Sequence, residues 1–110
     1  MADPLFCATV LYPWQDGAVF DYELYARTLV PMYAEILGEN CVRFEVRKGL
    51  TTPGAPAPHF ICIASFWVKS KEQFGASLGD PRMKDLMTKI SGFTPIQPLR
   101  QFDEVIESMI

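Results

Sequence analysis

The chain has 110 residues, about the length of one domain with its own hydrophobic core. With 10 Lys and Arg against 13 Asp and Glu it carries a net charge of −3, which argues against partners such as nucleic acid or an anionic membrane surface. No apolar run approaches the roughly 20 residues that a membrane helix requires, and residues 1–4 do not open a signal peptide, so a cytoplasmic location is expected.

The first third of the chain predicts a strand followed by a helix. Residues 5–12 (LFCATVLY) are rich in strand-forming residues and end at Pro13. Asp21 is suited to cap a helix in which apolar side chains recur at steps of three and four. Pro31 lies inside this helix and predicts a kink, and Gly38 stands where a left-handed C-cap would end it.

The middle third predicts two strands joined by a proline-rich loop. Residues 41–47 alternate between apolar and charged side chains, which is typical of a strand with one apolar face. Residues 50–58 form the loop, and residues 59–68 (HFICIASFWV) form a strand that is apolar on both sides. In the alternating strand, Val42, Phe44 and Val46 fall on one side, and Arg43, Glu45 and Arg47 fall on the other.

The last third predicts two helices and a final strand. Ser70 with Gln73 forms a capping box that begins a short helix, and Asp80 followed by Pro81 begins a longer one. Residues 94–105 predict the last strand. The order strand, helix, strand, strand, helix, strand is that of the ferredoxin-like βαββαβ sandwich, an α+β fold with an antiparallel four-stranded sheet. We interpret residues 1–110 as one such domain.

The first and third strands are apolar on both faces, although a ferredoxin-like domain covers only one face of its sheet with helices. Leaving Leu11, Ile61, Ile63 and Trp67 in water would forgo about 1.5–3 kcal/mol for each side chain. Either a second copy of the chain or a large apolar ligand must therefore cover the open face. Two copies that pack sheet to sheet would enclose a cavity, so we expect a homodimer formed through this face.

Short motifs spread over nearly the whole chain share their order and spacing with a known family. They are Tyr12-Pro13, Gly17-Ala18, Phe20-Asp21, Pro31, Glu45-Val46, Gly49, Phe66, Ser70, Glu72, Phe74, Gly92-Phe93-Thr94, Pro98, Gln101 and Glu104-Val105. Together they resemble the EthD family of small dimeric α/β-barrel proteins, named for a role in ethyl tert-butyl ether degradation. The resemblance implies a dimeric α/β barrel around pockets. It implies no single reaction, because the superfamily includes cofactor-free isomerases, cyclases, dehydratases, small monooxygenases and some haem proteins.

Three positions depart from the pattern of that family. EthD-like sequences commonly carry a histidine two residues before the helix proline, where this chain has Leu29. A second histidine is common in the third strand, where this chain has Ser65, and Gly92 replaces a usual asparagine. If those histidines act as acid–base or ligand groups in relatives, this chain has a different activity or none.

The candidate site residues come from the face that the alternation assigns to the cavity. Glu45 is the candidate general base, because an apolar cavity would raise the pKa of its carboxyl toward neutrality, and Arg43 or Arg47 could hold an anionic group of the substrate or a developing enolate. Tyr25, placed near the rim, is the candidate proton donor. One alternative is that the charged residues form the solvated face of an edge strand, and another is that Tyr25 belongs to the core. The candidate substrate-binding residues are Thr9, Arg43, Ser65, Trp67 and Gln101.

Little in the chain is suited to hold a cofactor. His59 is the sole histidine and the cysteines form no CxxC pair, so neither a metal nor another cofactor is expected, although haem ligation by His59 is a minor alternative. Cys7, Cys41 and Cys62 are interpreted as small buried side chains. We expect a cofactor-independent isomerase, cyclase, dehydratase or monooxygenase that acts on a small apolar or aromatic metabolite. The alternative is a non-catalytic protein that binds such a molecule or supports a degradation pathway.

Overall fold

The structure, a computed structural model, describes residues 5–109, so the residues on which the signal-peptide prediction depends lie outside it. Its four strands form one sheet in the order β2-β3-β1-β4, in which every neighbouring pair is antiparallel. The ferredoxin-like topology is therefore confirmed, with β2 and β4 as edge strands. The strands are β1 (Leu5–Pro13), β2 (Cys41–Lys48), β3 (Phe60–Val68) and β4 (Leu99–Val105).

Three helices within the described residues cover one face of this sheet. No helix in residues 5–109 is long and apolar enough to cross a membrane, and a cytoplasmic location stays a prediction. The first helix, α1, is α-helical over Tyr22–Leu24, π-helical over Tyr25–Leu29 and α-helical again over Val30–Leu37, and a short 3-10 turn follows at Gly38–Asn40. The other two are α2 (Lys71–Leu78) and α3 (Pro81–Phe93).

The helix ends lie where the capping residues predict them. The side chains of Asp21, Ser70 and Asp80 each accept a backbone N–H of the first turn, at 3.0, 3.1 and 2.8 Å respectively. Gly38 ends α1 with φ of +63°, in the left-handed region that favours glycine. Local side-chain chemistry therefore determines where each helix begins and where the first one ends.

The irregularity predicted at Pro31 is a π-helical turn. The N–H of Val30 donates to the carbonyl of Tyr25, five residues earlier, immediately before the proline. Because Pro31 has no N–H and its ring crowds the carbonyl four residues earlier, a regular α-turn cannot pass through this point. The widened turn absorbs that conflict while Tyr25 and Leu29 both stay buried.

Two bulges change the faces that simple alternation predicts, because a bulge adds one residue to one strand of a pair. The first lies in β3 opposite the end of β1, and it turns Ile61 into the core beneath the helices rather than onto the open face. The second, in β2, leaves Val42 out of register. Val42 is 49% exposed and lines a recess with Arg43 and Trp67, so its predicted place on the core face is wrong.

The last strand is shorter than predicted, since β4 begins at Leu99 rather than at Thr94. Residues 94–98 form a loop in which the Thr94 hydroxyl accepts the N–H of Ile96 at 3.3 Å. Pro95 and Pro98 lack the N–H groups that a strand pairing needs. This loop covers one end of the core with the buried side chain of Ile96.

Candidate functional site

The open face of the sheet, the face without helices, carries all the predicted site residues except Tyr25. The register between strands places these residues in two neighbouring rows, so the alternation predicts their common side correctly. The first row holds Thr9, Ser65, Gln101 and Glu45, and the second holds Arg43 and Trp67.

Glu45 is ion-paired on this face rather than enclosed by apolar side chains. Its Oε1 accepts from Arg43 Nη2 at 2.6 Å, and its Oε2 accepts from Arg47 Nη1. The Arg43 guanidinium also lies over the Trp67 ring, 4.5 Å from the ring centroid. Because both carboxylate oxygens are engaged, this arrangement favours the alternative interpretation, the charged face of an edge strand, and a role of Glu45 as a base stays a prediction.

Tyr25 lies on the opposite side of the sheet from Glu45, so its predicted position near the rim of the open face is wrong. α1 packs on the helix-covered face, and Tyr25 is only 2% exposed there. Its ring lies against Tyr12, Phe20 and Phe93, with centroid distances of 5.3, 5.4 and 5.3 Å. The two residues predicted to catalyse therefore cannot act together on one molecule.

A cleft between the helix-covered face of the sheet and α3 holds Tyr25 together with Tyr12, Tyr33 and Arg100; we call it the tyrosine cleft. These four residues line an inner cavity of about 10 Å³, which has room for about one water molecule. Two outer cavities of about 220 and 270 Å³ adjoin it, toward the loop of residues 94–98 and toward α2. Arg100 lines all three cavities. Thr9 and Gln101 also line the outer cavity toward α2.

The hydroxyl of Tyr12 is a buried polar group without a partner. The residue is 1% exposed, and its Oη has no hydrogen-bond partner among residues 5–109. The Tyr25 hydroxyl is close enough for a weak hydrogen-bonding interaction that lowers the pKa of Tyr12 and raises that of Tyr25, although the pair does not meet the distance and angle limits of a regular hydrogen bond. An unsatisfied buried hydroxyl costs about 1–3 kcal/mol. A water molecule in the inner cavity, or a ligand oxygen that reaches it, would satisfy the hydroxyl.

The electrostatics of the cleft favour neutral tyrosines beside one fixed positive charge. Burial raises the pKa values of Tyr12, Tyr25 and Tyr33 above the ordinary value of 10.0, and the charge of Arg100 opposes that rise in each case. At physiological pH these hydroxyls therefore stay protonated and can donate hydrogen bonds. No Asp, Glu or His is found among the described residues that line the three cavities.

The positions of the two missing family histidines fall on opposite sides of the sheet. Leu29 is buried and lines the inner cavity of the tyrosine cleft. Ser65 is buried too, but it belongs to the row of the open face that holds Glu45. His59 is exposed just before β3, where its carbonyl accepts the N–H of Trp14 at 2.9 Å. An apolar side chain thus stands in the cavity at the position where the resemblance had implied a histidine.

Replacing Tyr12 with phenylalanine is expected to stabilise the protein, because the change removes a buried hydroxyl that has no partner. The free energy of unfolding, measured by urea denaturation, should rise by about 1–2 kcal/mol. Tyr22→Phe is the matched control, since the Tyr22 hydroxyl donates to the carbonyl of Ile61 at 2.8 Å and its loss should cost about 1 kcal/mol. Equal destabilisation by the two changes would contradict the assignment of an unsatisfied hydroxyl.

The stability of the protein is expected to fall as the pH rises above about 9. Burial raises the pKa of the Cys62 thiol from 9.0 to about 12, although Arg47 opposes the rise. Between these values the folded chain keeps a proton that the unfolded chain has lost, so each pH unit removes about 1.4 kcal/mol of stability. Urea unfolding from about pH 8 to about pH 10 should show a shallower decline for Cys62→Ala than for the unchanged chain. Equal declines in stability for the two chains would contradict a raised pKa of the Cys62 thiol.

The chain is similar over almost its whole length to a protein of known structure. No protein-family model matches the sequence, and no curated protein matches it. Among solved structures, an EthD-like protein from Ralstonia eutropha JMP134 is 30% identical with a TM-score of 0.85, and the alignment covers 97% of this chain and 96% of that one.

Two more distant structures are similar in fold alone. SnoaB, a cofactor-independent oxygenase from Streptomyces nogalater, has a TM-score of 0.68 at 9% identity, with 98% of each chain covered. A dimeric ferredoxin-like protein of unknown function from Thermobifida fusca YX has a TM-score of 0.61 at 10% identity, with 93% of this chain and 92% of that chain covered. Both support the ferredoxin-like topology described above.

Proposed function

The chain belongs to the EthD-like family, and we propose that it binds a small, mostly apolar or aromatic metabolite in the tyrosine cleft and stabilises negative charge on an oxygen of that molecule, without a cofactor. The observation that carries this proposal is the Tyr12 hydroxyl, which is buried without a partner in the wall of the cleft. Buried polar groups in folded proteins are nearly always hydrogen-bonded, so this hydroxyl calls for a partner such as a bound water or a ligand oxygen. A ligand oxygen that accepts from Tyr12 supplies one.

The chemistry available in the cleft is stabilisation of an oxyanion. Neutral tyrosine hydroxyls and the guanidinium of Arg100 are donors to an oxygen that gains charge during a reaction, as in an enolate. The cavity walls carry no carboxylate or imidazole among the described residues, so a substrate that reacts here has to lose its proton to its own basic group or to water. The cofactor-independent oxygenase SnoaB shares the fold, which supports cofactor-free chemistry.

A non-catalytic role is the second candidate, and Leu29 favours it. The side chain lines the inner cavity at the position of a common family histidine, and no neighbouring group in the described cleft replaces an imidazole as a base. A protein with this cleft would hold a metabolite for another enzyme of a degradation pathway. The two candidates share the ligand site and differ only in whether the bound molecule changes.

The open face supports the proposal of a homodimer. Leu5, Leu11, Ile63, Trp67 and Val105 are half-buried in the single chain, and the helices lie on the other side of the sheet. A second copy packed on this face would remove that apolar surface from water. The dimeric ferredoxin-like neighbour supports such an assembly. Ligand binding between the two sheets, by the polar rows that include Glu45, remains a further prediction for the same dimer.

Filling the cleft with a larger side chain tests the proposed site. We choose 2-naphthol as the probe, a flat aromatic molecule with one hydroxyl, and isothermal titration calorimetry as the measurement. Ile90 is half-buried, lines the inner cavity and the outer cavity toward the loop, and Ile90→Trp should weaken binding at least about ten-fold by occupying that space. Ile106→Trp is the control, because Ile106 is fully outside the cleft and exposed.

A second variant tests whether 2-naphthol binds in the tyrosine cleft or on the open face. Ile63→Trp changes the open face, and it should leave the affinity for 2-naphthol within about two-fold of the unchanged chain. Unchanged binding in Ile90→Trp together with lost binding in Ile63→Trp would overturn the proposed site. Failure of the unchanged chain to bind the probe would overturn it as well.

A further inference from the structure

We infer that the ligand of the tyrosine cleft is an aromatic anion whose charged oxygens lie between the guanidinium of Arg100 and the hydroxyl of Tyr12. This inference rests on the proposed function, because it names the chemical class that the same site takes. It concerns the charge of the ligand, whereas the proposed function concerns the place where the ligand binds.

The position of Arg100 in the sheet directs it toward the cleft. Arg100 pairs with Val10 of β1, and Val10 is buried in the core beneath the helices. Cross-strand partners share a face of the sheet, so the Arg100 side chain extends over the helix-covered face. It lines the inner cavity and both outer cavities. A group that binds in any of the three meets this guanidinium.

The side chain of Arg100 is exposed to solvent, and unlike the other arginines it has no carboxylate partner among residues 5–109. A guanidinium has five N–H donors, and the contact made by that of Arg100 is with Met87 Sδ, at 3.7 Å. A thioether sulfur is a weak acceptor. No ion pair involves Arg100 in the part of the chain that the structure describes, whereas each other arginine pairs with an acid: Arg27 with Glu23, Arg43 and Arg47 with Glu45, and Arg82 with Asp80.

The remaining walls select an aromatic anion over a simple inorganic one. The outer cavity toward α2 is bounded by the apolar side chains of Phe74, Leu78 and Phe102, and the Phe102 ring is itself stacked on Phe6 and Phe74 with centroid distances of 5.7 and 5.1 Å. Apolar walls of this kind suit the hydrocarbon part of an aromatic ligand, and the adjoining donors suit an oxyanion. Tyr12 adds a hydroxyl that burial keeps protonated, so it donates to the same oxyanion.

Two probes of the same shape and different charge test the inference. 2-Naphthoate carries a carboxylate, and 2-naphthamide carries a neutral group of similar size. By calorimetry at pH 7, the unchanged chain should bind 2-naphthoate about ten- to a hundred-fold more tightly, because charge-assisted hydrogen bonds to arginine are the strong ones. Arg100→Gln should remove most of that preference and leave the affinity for 2-naphthamide within about two-fold. Arg27→Gln, which changes an exposed arginine on α1, should leave both affinities unchanged.

The outcomes distinguish this inference from the proposed function. Equal affinities for the two probes, or a preference for 2-naphthoate that survives Arg100→Gln, would overturn the anion assignment and leave the cleft as the ligand site. If neither probe binds the unchanged chain, both the proposed function and the inference are wrong. Circular dichroism of each variant verifies that a lost affinity does not reflect an unfolded chain.

Discussion

Replacing Leu11 with aspartate is expected to convert the proposed homodimer into monomers. Leu11 lies on the open face between Ile63 of β3 and Leu99 of β4, in a row of apolar side chains across three strands. In an isologous interface each substitution appears twice, and a buried unpaired carboxylate costs several kcal/mol. The dimer dissociation constant should therefore rise more than about 100-fold. Sedimentation velocity at low micromolar protein concentration measures the change.

A matched change elsewhere on the surface controls for the added charge. Val19 is an apolar residue that is 86% exposed in the loop between β1 and α1, outside the strands of the sheet. Val19→Asp should sediment as the unchanged chain does. If the unchanged chain is itself a monomer, or if Leu11→Asp remains a dimer, the open face is not the interface.

Replacing Gly49 with alanine is expected to destabilise the fold by about 1–3 kcal/mol or more. The N–H of Gly49 donates to the carbonyl of Ile61 at 2.9 Å, which holds the end of β2 against β3. A Cβ at Gly49 would lie 2.1 Å from the carbonyl oxygen of Phe60. Because that atom belongs to the backbone of β3, the strands must separate to admit it. Urea denaturation measures the loss.

Gly75 provides the control for the loss of glycine itself. It lies inside α2, and a Cβ added there meets no atom within 4 Å. Gly75→Ala should leave the stability unchanged or raise it by up to about 1 kcal/mol, because alanine is the better helix former. A Gly49→Ala chain as stable as Gly75→Ala would contradict the close approach of the two strands.

The arrangement of elements could be predicted from the sequence because its signals are local. Asp21, Ser70 and Asp80 cap helices through contacts within one turn, and the apolar runs of the first and third strands need no knowledge of the rest of the chain. Bulges are different, because they depend on how two strands meet. The alternation of apolar and polar residues therefore could not predict on which face of the sheet Val42 and Ile61 lie.

The cleft was harder to predict than the open face, for two physical reasons. Arg100 reaches the cleft only because β4 begins at Leu99 and pairs Arg100 with Val10, and this register is a tertiary property. Tyr12 has the alternation of a core residue, and nothing in the sequence indicates that its hydroxyl lacks a partner. The sequence holds one usable signal for the cleft, which is that both β1 and α1 carry tyrosines. The apolar faces of this strand and this helix pack against each other, so their tyrosines come together.

The Tyr12 hydroxyl has opposite effects on the stability of the chain and on its proposed function. The hydroxyl weakens the fold while it stays unpaired, and it strengthens binding once a ligand oxygen accepts from it. We therefore expect Tyr12→Phe to be more stable and to bind 2-naphthol less tightly. A change that improved both properties would mean that the hydroxyl has no part in the site.

A crystal structure of the chain grown with 2-naphthol is the most direct test of the claim that the tyrosine cleft is the ligand site. We expect electron density for the ring in the tyrosine cleft, on the helix-covered face of the sheet. The hydroxyl of the probe should lie within hydrogen-bond distance of Tyr12 Oη, beside Arg100. Density for the ring between two open faces instead, over Trp67 and Ile63 and with Tyr12 Oη still unpartnered, would show that the tyrosine cleft is not the ligand site.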